Sequence, residues 1–145
     1  MRMTLIALTL LAAACTTKAG GPPDIVVDRT ACSHCGMLIS EPIYAAAYQA
    51  AGHEARVFDD IGCLLKSAQA ESGALTYWFH DAHDRSWIDG SAAVFVASPA
   101  IRTPMGGGVI AFRDRAAAEQ LAAGEHGGDI IPSLTDLLAR PNGGR

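Results

Sequence analysis

Phe58-Asp59-Asp60-Ile61-Gly62-Cys63-Leu64 and Phe112-Arg113-Asp114-Arg115-Ala116 are two junctions of the same kind, with Phe58 and Phe112 54 residues apart. In each, an apolar run closes on a Phe. An Asp then follows that can cap a helix, because a carboxylate accepts the free N–H groups of a first turn. Beyond Asp60, the residues Ile61, Leu64, Leu65 and Ala68 fall at i, i+3, i+4 and i+7, one apolar helical stripe that Gly73 stops. Beyond Asp114, Ala116 to Ala123 reads as a second helix, stopped by Gly124. Upstream of the first junction, Ile43 to Ala51 is a strand that turns at Gly52-His53 into a shorter one, Glu54 to Phe58. Upstream of the second, Ala92 to Ser98 and Val109 to Phe112 are strands on either side of a loop. Thr76 to His80 and Arg85 to Asp89 flank the polar turn Asp81 to Asp84, which predicts a hairpin. The expected class is α+β, with two small β-rich units, each covered by one helix. They are placed at residues 25–75 and 76–125, followed by a short helix opened by the capping box Ser133-Leu-Thr-Asp136 and a tail over 126–145.

The 145 residues carry 11 Lys+Arg and 15 Asp+Glu, a formal charge of −4. No basic face of the kind nucleic-acid binders need is available. Half the chain is apolar and 18% is charged, too apolar for intrinsic disorder.

The amino terminus has a different character. Met1-Arg2 is followed by an apolar run, Leu5 to Leu11, then by Ala12-Ala13-Ala14 and Cys15. That is the order of a secretory signal peptide over 1–14, and the run is short of the ~20 residues a spanning helix needs. A Cys directly after small residues resembles the bacterial lipoprotein signal, which makes Cys15 the expected site of lipidation. Thr17, rather than Asp, two places on favours the outer membrane by the same analogy. Residues 15–24 form the lipidated Cys and a Gly/Pro-rich tether. Removing 1–14 takes Arg2 and brings the formal charge to −5. The expected compartment is the periplasmic face of the envelope, where disulfides are permitted.

The chemistry concentrates in two loops. Cys32-Ser33-His34-Cys35-Gly36-Met37 places three sulfurs and an imidazole within six residues. Thiolate, thioether and imidazole together suit a soft metal, Cu(I) above all. Thr103-Pro104-Met105-Gly106-Gly107-Gly108 places a Met in a loop that has little reason to enter a core. A Cys-x-x-Cys can also serve zinc, a disulfide or redox exchange. A c-type haem needs His after the second Cys, where Gly36 stands, and Pro42 prevents a long thioredoxin-like helix after Cys35. A periplasmic thiol–disulfide oxidoreductase or reductant using Cys32 and Cys35 is the alternative to a metal carrier.

Cys35-Gly36-Met37, the 58–64 junction, Trp87-Ile88-Asp89, Thr103-Pro104-Met105-Gly106 and Ala111-Phe112 occur in the order seen in the NosL family, and the chain resembles that family over about residues 25–125. The resemblance implies two ββαβ-type units with antiparallel strands, like an accessory part of organomercurial lyase. It implies a non-enzymatic, copper-binding lipoprotein serving maturation of nitrous oxide reductase, with that enzyme or its ABC-type maturation complex as partner. It also implies Cu(I) held by Cys35, Met37 and Met105. Cys32 is a departure, creating a Cys-x-x-Cys that many relatives lack.

Secondary ligand candidates are Cys32, Cys63 and His34. Cys63 stands in the first turn of the first helix, where the positive end of the dipole is expected to lower a thiol pKa. His80 and His83, with Asp81 and Asp84, bracket either a plain polar turn or a second, harder metal site, and Trp78 and Trp87 are expected to pair in the core.

Overall fold

The structure is a computed structural model and describes residues 20–125 and 127–140. The signal peptide and the lipidation residue Cys15 lie outside the described residues. Seven strands and three helices follow in the order β1 Ala46–Ala50, β2 Arg56–Phe58, α1 Ile61–Ala68, β3 Leu75–His80, β4 Trp87–Asp89, β5 Val94–Ala97, β6 Val109–Phe112, α2 Arg115–Ala122, β7 Asp129–Ile131 and α3 Leu134–Leu138. They form two sheets, ordered β2-β1-β3-β4 and β6-β5-β7, with antiparallel pairing throughout.

The duplication is legible in the topology. In the first half β1 makes a hairpin with β2, α1 follows, and β3 returns to the free side of β1. In the second half β5 pairs with β6, α2 follows, and β7 returns to the free side of β5. The strands divide differently from the expected boundary between residues 75 and 76. Leu75–His80 completes the first unit rather than opening the second, and β7, which the sequence reading did not foresee, completes the second unit beyond residue 125. Its three residues, Asp-Ile-Ile, are too few to show a period.

Alternation along the strands sorts the core into layers. Ala46, Tyr48, Phe58 and Phe79 from one sheet meet Phe95, Ala97, Val109 and Ala111 from the other, together with Ile61, Leu64 and Leu65 of α1. The Phe79 and Phe95 rings cross edge to face, 4.8 Å apart, and join the two halves. The opposite face of the second sheet, Val94, Val96, Ile110 and Phe112, lies under Ala118 and Leu121 of α2. The opposite face of the first, Ala47, Val57 and Trp78, lies under Ile25 and Ile39 of the amino-terminal segment. Burial on both faces explains why β5 and β6 read as unbroken apolar runs.

Two local details differ from the sequence reading. Pro42–Tyr44 is a single 3-10 turn, so β1 starts at Ala46 rather than Ile43; Pro42 at the first helical position has its φ preset for that turn. Trp87 pairs across the sheet with His80, whose ring lies 3.9 Å away, and Trp78 stands opposite Asp89. The two Trp residues share the layer under Ile39 without being partners.

Candidate metal centre

The junction between β2 and α1 organises the site. Asp60 is the N-cap of α1, its Oδ1 accepting from the Gly62 N–H at 2.5 Å. Its other oxygen reaches across to the Pro-Met-Gly loop. Oδ2 accepts from the Thr103 hydroxyl and from the backbone N–H groups of Met105 at 3.1 Å and Gly107 at 3.3 Å. Thr103 Oγ1 in turn accepts from the Gly108 N–H at 3.1 Å, which closes the loop on itself. The approach is so close that a Cβ on Gly107 would sit 2.4 Å from Asp60 Oδ1, and the Cα atoms of Gly62 and Gly107 leave no room for a side chain on either.

The preceding residue, Asp59, holds the other loop. The sulfur of Cys35 lies 3.8 Å from both carboxylate oxygens of Asp59. The cysteine loop is a tight turn between Ala31 and Leu38, in which the Cys32 N–H donates to the Met37 carbonyl at 2.8 Å and Gly36 takes a φ of +77°. It is pinned to β2 from two sides: the Ser33 N–H donates to the Val57 carbonyl at 2.8 Å, and Arg56 Nη2 donates to the Ser33 carbonyl at 3.1 Å. Arg56 also donates to Glu71 and to the Tyr48 hydroxyl, which fixes the guanidinium between the loop and the end of α1.

The result is a group of four donors from separate parts of the chain. The ligand atoms of Cys32, Cys35, Asp59 and Cys63 all lie within 4.8 Å of one another and can hold a metal ion. All three cysteines are free thiols. Cys32, Asp59 and Cys63 are buried, and Cys35 is half-buried and forms the open side. Burial, and after it the hydrogen bond with Asp59, pushes the Cys32 thiol up. Cys63 is pushed far up, first by burial and then by the negative charges of Cys32, Asp59 and Cys35. This corrects the expected lowering of Cys63, since desolvation and like charges outweigh a helix end worth about 1 kcal/mol.

Met37 and Met105 are exposed, 53% and 40% respectively, and His34 is exposed between the two cysteines. Of the two readings of the turn after β3, the structure shows the plain polar turn. His80 is buried with Nδ1 bonded to the Pro42 carbonyl, Asp81 accepts from the His83 and Arg113 N–H groups, and Asp84 accepts from Ser86 N–H. Among the described residues, the cysteine–Asp59 group is the one cluster of His, Cys, Asp and Glu placed to hold an ion.

The family model for NosL matches residues 24–137, most of the chain. The chain belongs to the NosL family. No curated protein matches it. Among solved structures, it is similar to the copper chaperone NosL from Shewanella denitrificans, with 20% identity and a TM-score of 0.58 over 77% of this chain and 94% of that one. The likeness establishes the α+β fold of two antiparallel sheets as the NosL fold.

Within that fold, the sequence reading overlooked Asp59 as a donor. The signal was the doublet itself: one Asp suffices to cap α1, so the second is free for another task. The role of Asp60 as the anchor of the 103–108 loop had no local signal, because its partners lie more than forty positions away.

Proposed function

We propose that this chain is a copper metallochaperone, a non-catalytic carrier that holds Cu(I) and yields it for maturation of a copper enzyme, nitrous oxide reductase or its ABC-type maturation complex. One observation carries the reading: the two sulfur-bearing loops are seated on adjacent residues, Cys35 on Asp59 and the Met105 loop on Asp60. That convergence supports a site on Cys35, Met37 and Met105; Cys32, Cys63 and Asp59 are grouped with Cys35 as further donors, and His34 stands exposed on the same turn. Both Met residues are about half exposed rather than enclosed in the core. Thioethers are neutral and prefer Cu(I), so one thiolate with two Met makes a site that a partner's sulfurs can empty stepwise.

The oxidoreductase alternative is disfavoured by the local fold. A thioredoxin-like dithiol opens a helix, whereas here the cysteine turn closes on Leu38 and only the 3-10 turn Pro42–Tyr44 follows. Anaerobic titration of the reduced mature protein with Cu(I) against a competing chelator tests the proposal. One Cu(I) per chain, held more tightly than Zn²⁺, is expected; displacement of Cu(I) by equimolar Zn²⁺ overturns it.

The carrier works at the periplasmic face of the envelope, at the outer membrane, tethered through a lipid on Cys15. Among the described residues no helix is long and apolar enough to cross a membrane. Each buried CH₂ of an acyl chain adds ~0.8 kcal/mol of anchoring. A fatty-acid analogue fed to cells should label the wild type, and equal labelling of Cys15→Ser refutes the anchor.

A further inference from the structure

We infer that Val26, Val27, Met37 and Leu38 form a membrane-contact ridge, through which the anchored chain lies against the phospholipid surface of its own membrane. The inference rests on the Cys15 anchor proposed above. Among the described residues six large apolar side chains are exposed, and four of them are these: Val26 54%, Val27 44%, Met37 53% and Leu38 52%. They stand as two consecutive pairs on two arms that are hydrogen-bonded to each other. The Asp28 N–H donates to the Ile39 carbonyl and the Ile39 N–H to the Thr30 carbonyl, both at 2.9 Å, and Ala31 is bridged to Leu38. Apolar side chains gathered in this way on a surface mark a place of contact with another molecule or a membrane.

The ridge has a fixed base. The Val26 carbonyl accepts from the N–H groups of Arg29 at 3.1 Å and Thr30 at 2.8 Å, and the Val26 N–H donates to Thr30 Oγ1 at 2.9 Å. Asp28, at the tip, takes a φ of +59°, which a short polar side chain tolerates better than most. Beneath the arms Ile39 is fully buried, and Ile25 packs against the same layer. The apolar tips are therefore held outward by a formed turn rather than by a loose end. An acyl boundary accepts such projecting side chains without a matching pocket.

Reach decides the occupant. Gly20 is five residues from Cys15, so it stays within about 18 Å of the anchored residue. A domain of this size is about 35 Å across, so the end of the molecule that carries Gly20 is kept beside the membrane. Val26 follows six residues later, and the ridge is the apolar surface next along the chain. Asp24, Asp28 and Arg29 flank it, and the chain is acidic overall. Attraction to anionic lipid is thus not the source of the contact; insertion of apolar side chains is. Met37 belongs both to the ridge and to the proposed Cu(I) site, so this contact seats the copper loop at the membrane surface.

The test uses the lipid-bearing mature chain in phosphatidylethanolamine/phosphatidylglycerol vesicles whose acyl chains carry bromine, a contact quencher of indole emission. Val27→Trp and Leu38→Trp each put an indole on the ridge. Glu119→Trp puts one on the exposed side of α2, where the Glu119 side chain is 55% exposed. Emission is read against the wild type, which carries Trp78 and Trp87, and circular dichroism checks each fold. The two ridge probes should lose roughly half or more of their added emission, and Glu119→Trp should lose little. The quenching should persist in ~1 M salt, where the screening length is only ~3 Å. Ridge probes that stay unquenched, or a Glu119→Trp quenched as strongly as they are, overturn the membrane contact; the first result leaves the ridge to a protein partner. The mass of the mature chain separates this failure from that of the anchor: a chain without lipid on Cys15 overturns both, and a lipid-bearing chain with unquenched probes overturns the ridge alone.

Discussion

Cys35 is the residue on which the candidate metal centre turns. It is the least buried of the three thiols and sits directly on a buried carboxylate. In the proposed Cu(I) site it supplies the only anionic ligand, so Cys35→Ser should abolish tight Cu(I) binding while circular dichroism shows an intact fold. Met37 and Met105 each offer one neutral sulfur. Alanine at either should weaken Cu(I) binding by an order of magnitude or more, the range typical of a damaged metal shell, and the pair together should weaken it further. Cys32→Ser should keep most of the Cu(I) affinity. A dithiol catalyst predicts the reverse, with Cys32→Ser as damaging as Cys35→Ser and Met105→Ala silent. Chelator competition on the four single variants separates the two patterns.

The element that matters most is the short connection from β2 into α1. Its two carboxylates face different ways: Asp59 toward the cysteine turn and Asp60 toward the loop between β5 and β6. In the first unit the hairpin connection is the short turn 51–55; at the equivalent place in the second it is the longer 98–108 loop. That longer connection is what lets Met105 reach the helix start of the other unit. Asp60→Ala removes an N-cap, worth about 1 kcal/mol, and three hydrogen bonds to a carboxylate. A loss of about 3–5 kcal/mol in urea unfolding is expected, together with weaker Cu(I) binding, because the Met105 loop loses its seat. Gly107→Ala drives a methyl into Asp60 and should cost about 1–3 kcal/mol by overpacking. If both variants unfold like the wild type, Asp60 does not fasten the two units.

For the whole molecule, two copies of one β-β-α-β arrangement share a core, with the cysteine–Asp59 group on the first copy and the Met105 loop of the second fastened to it through Asp60. A buried His near the seam gives this assembly a pH dependence. Burial pushes His80 below its ordinary value of 6.5, with its Nδ1–H donating to the Pro42 carbonyl and its ring on Trp87. The folded protein therefore keeps this imidazole neutral, while the unfolded chain takes a proton near pH 6.5. Stability is full above that value and falls as the pH drops toward the lower folded value, by up to about 1.4 kcal/mol per pH unit from this group. His80→Asn, which retains a donor for Pro42, should flatten the slope of the urea midpoint between pH 7.5 and 5.5. An unchanged slope assigns the acid sensitivity elsewhere.

Periodicity and capping chemistry made both helices, both strand-to-helix junctions and the duplication legible, because the residues that cause them are neighbours in the chain. The Ile61, Leu64, Leu65, Ala68 stripe and the Asp60 and Asp114 caps stand where the local pattern puts them. The exposure of Met105 followed in the same way from Pro104 and three Gly. Only the tertiary structure decided that β3 belongs with β1 and β7 with β5, since strand partners are chosen by shared burial rather than by spacing. It also decided that Cys63 is a raised, buried thiol, because burial in the core and the charges of Cys32, Asp59 and Cys35 reach it only in the fold. Sequence named the sulfurs; the two carboxylates that gather them act through contacts more than twenty and more than forty residues away, a distance over which no local pattern carries information.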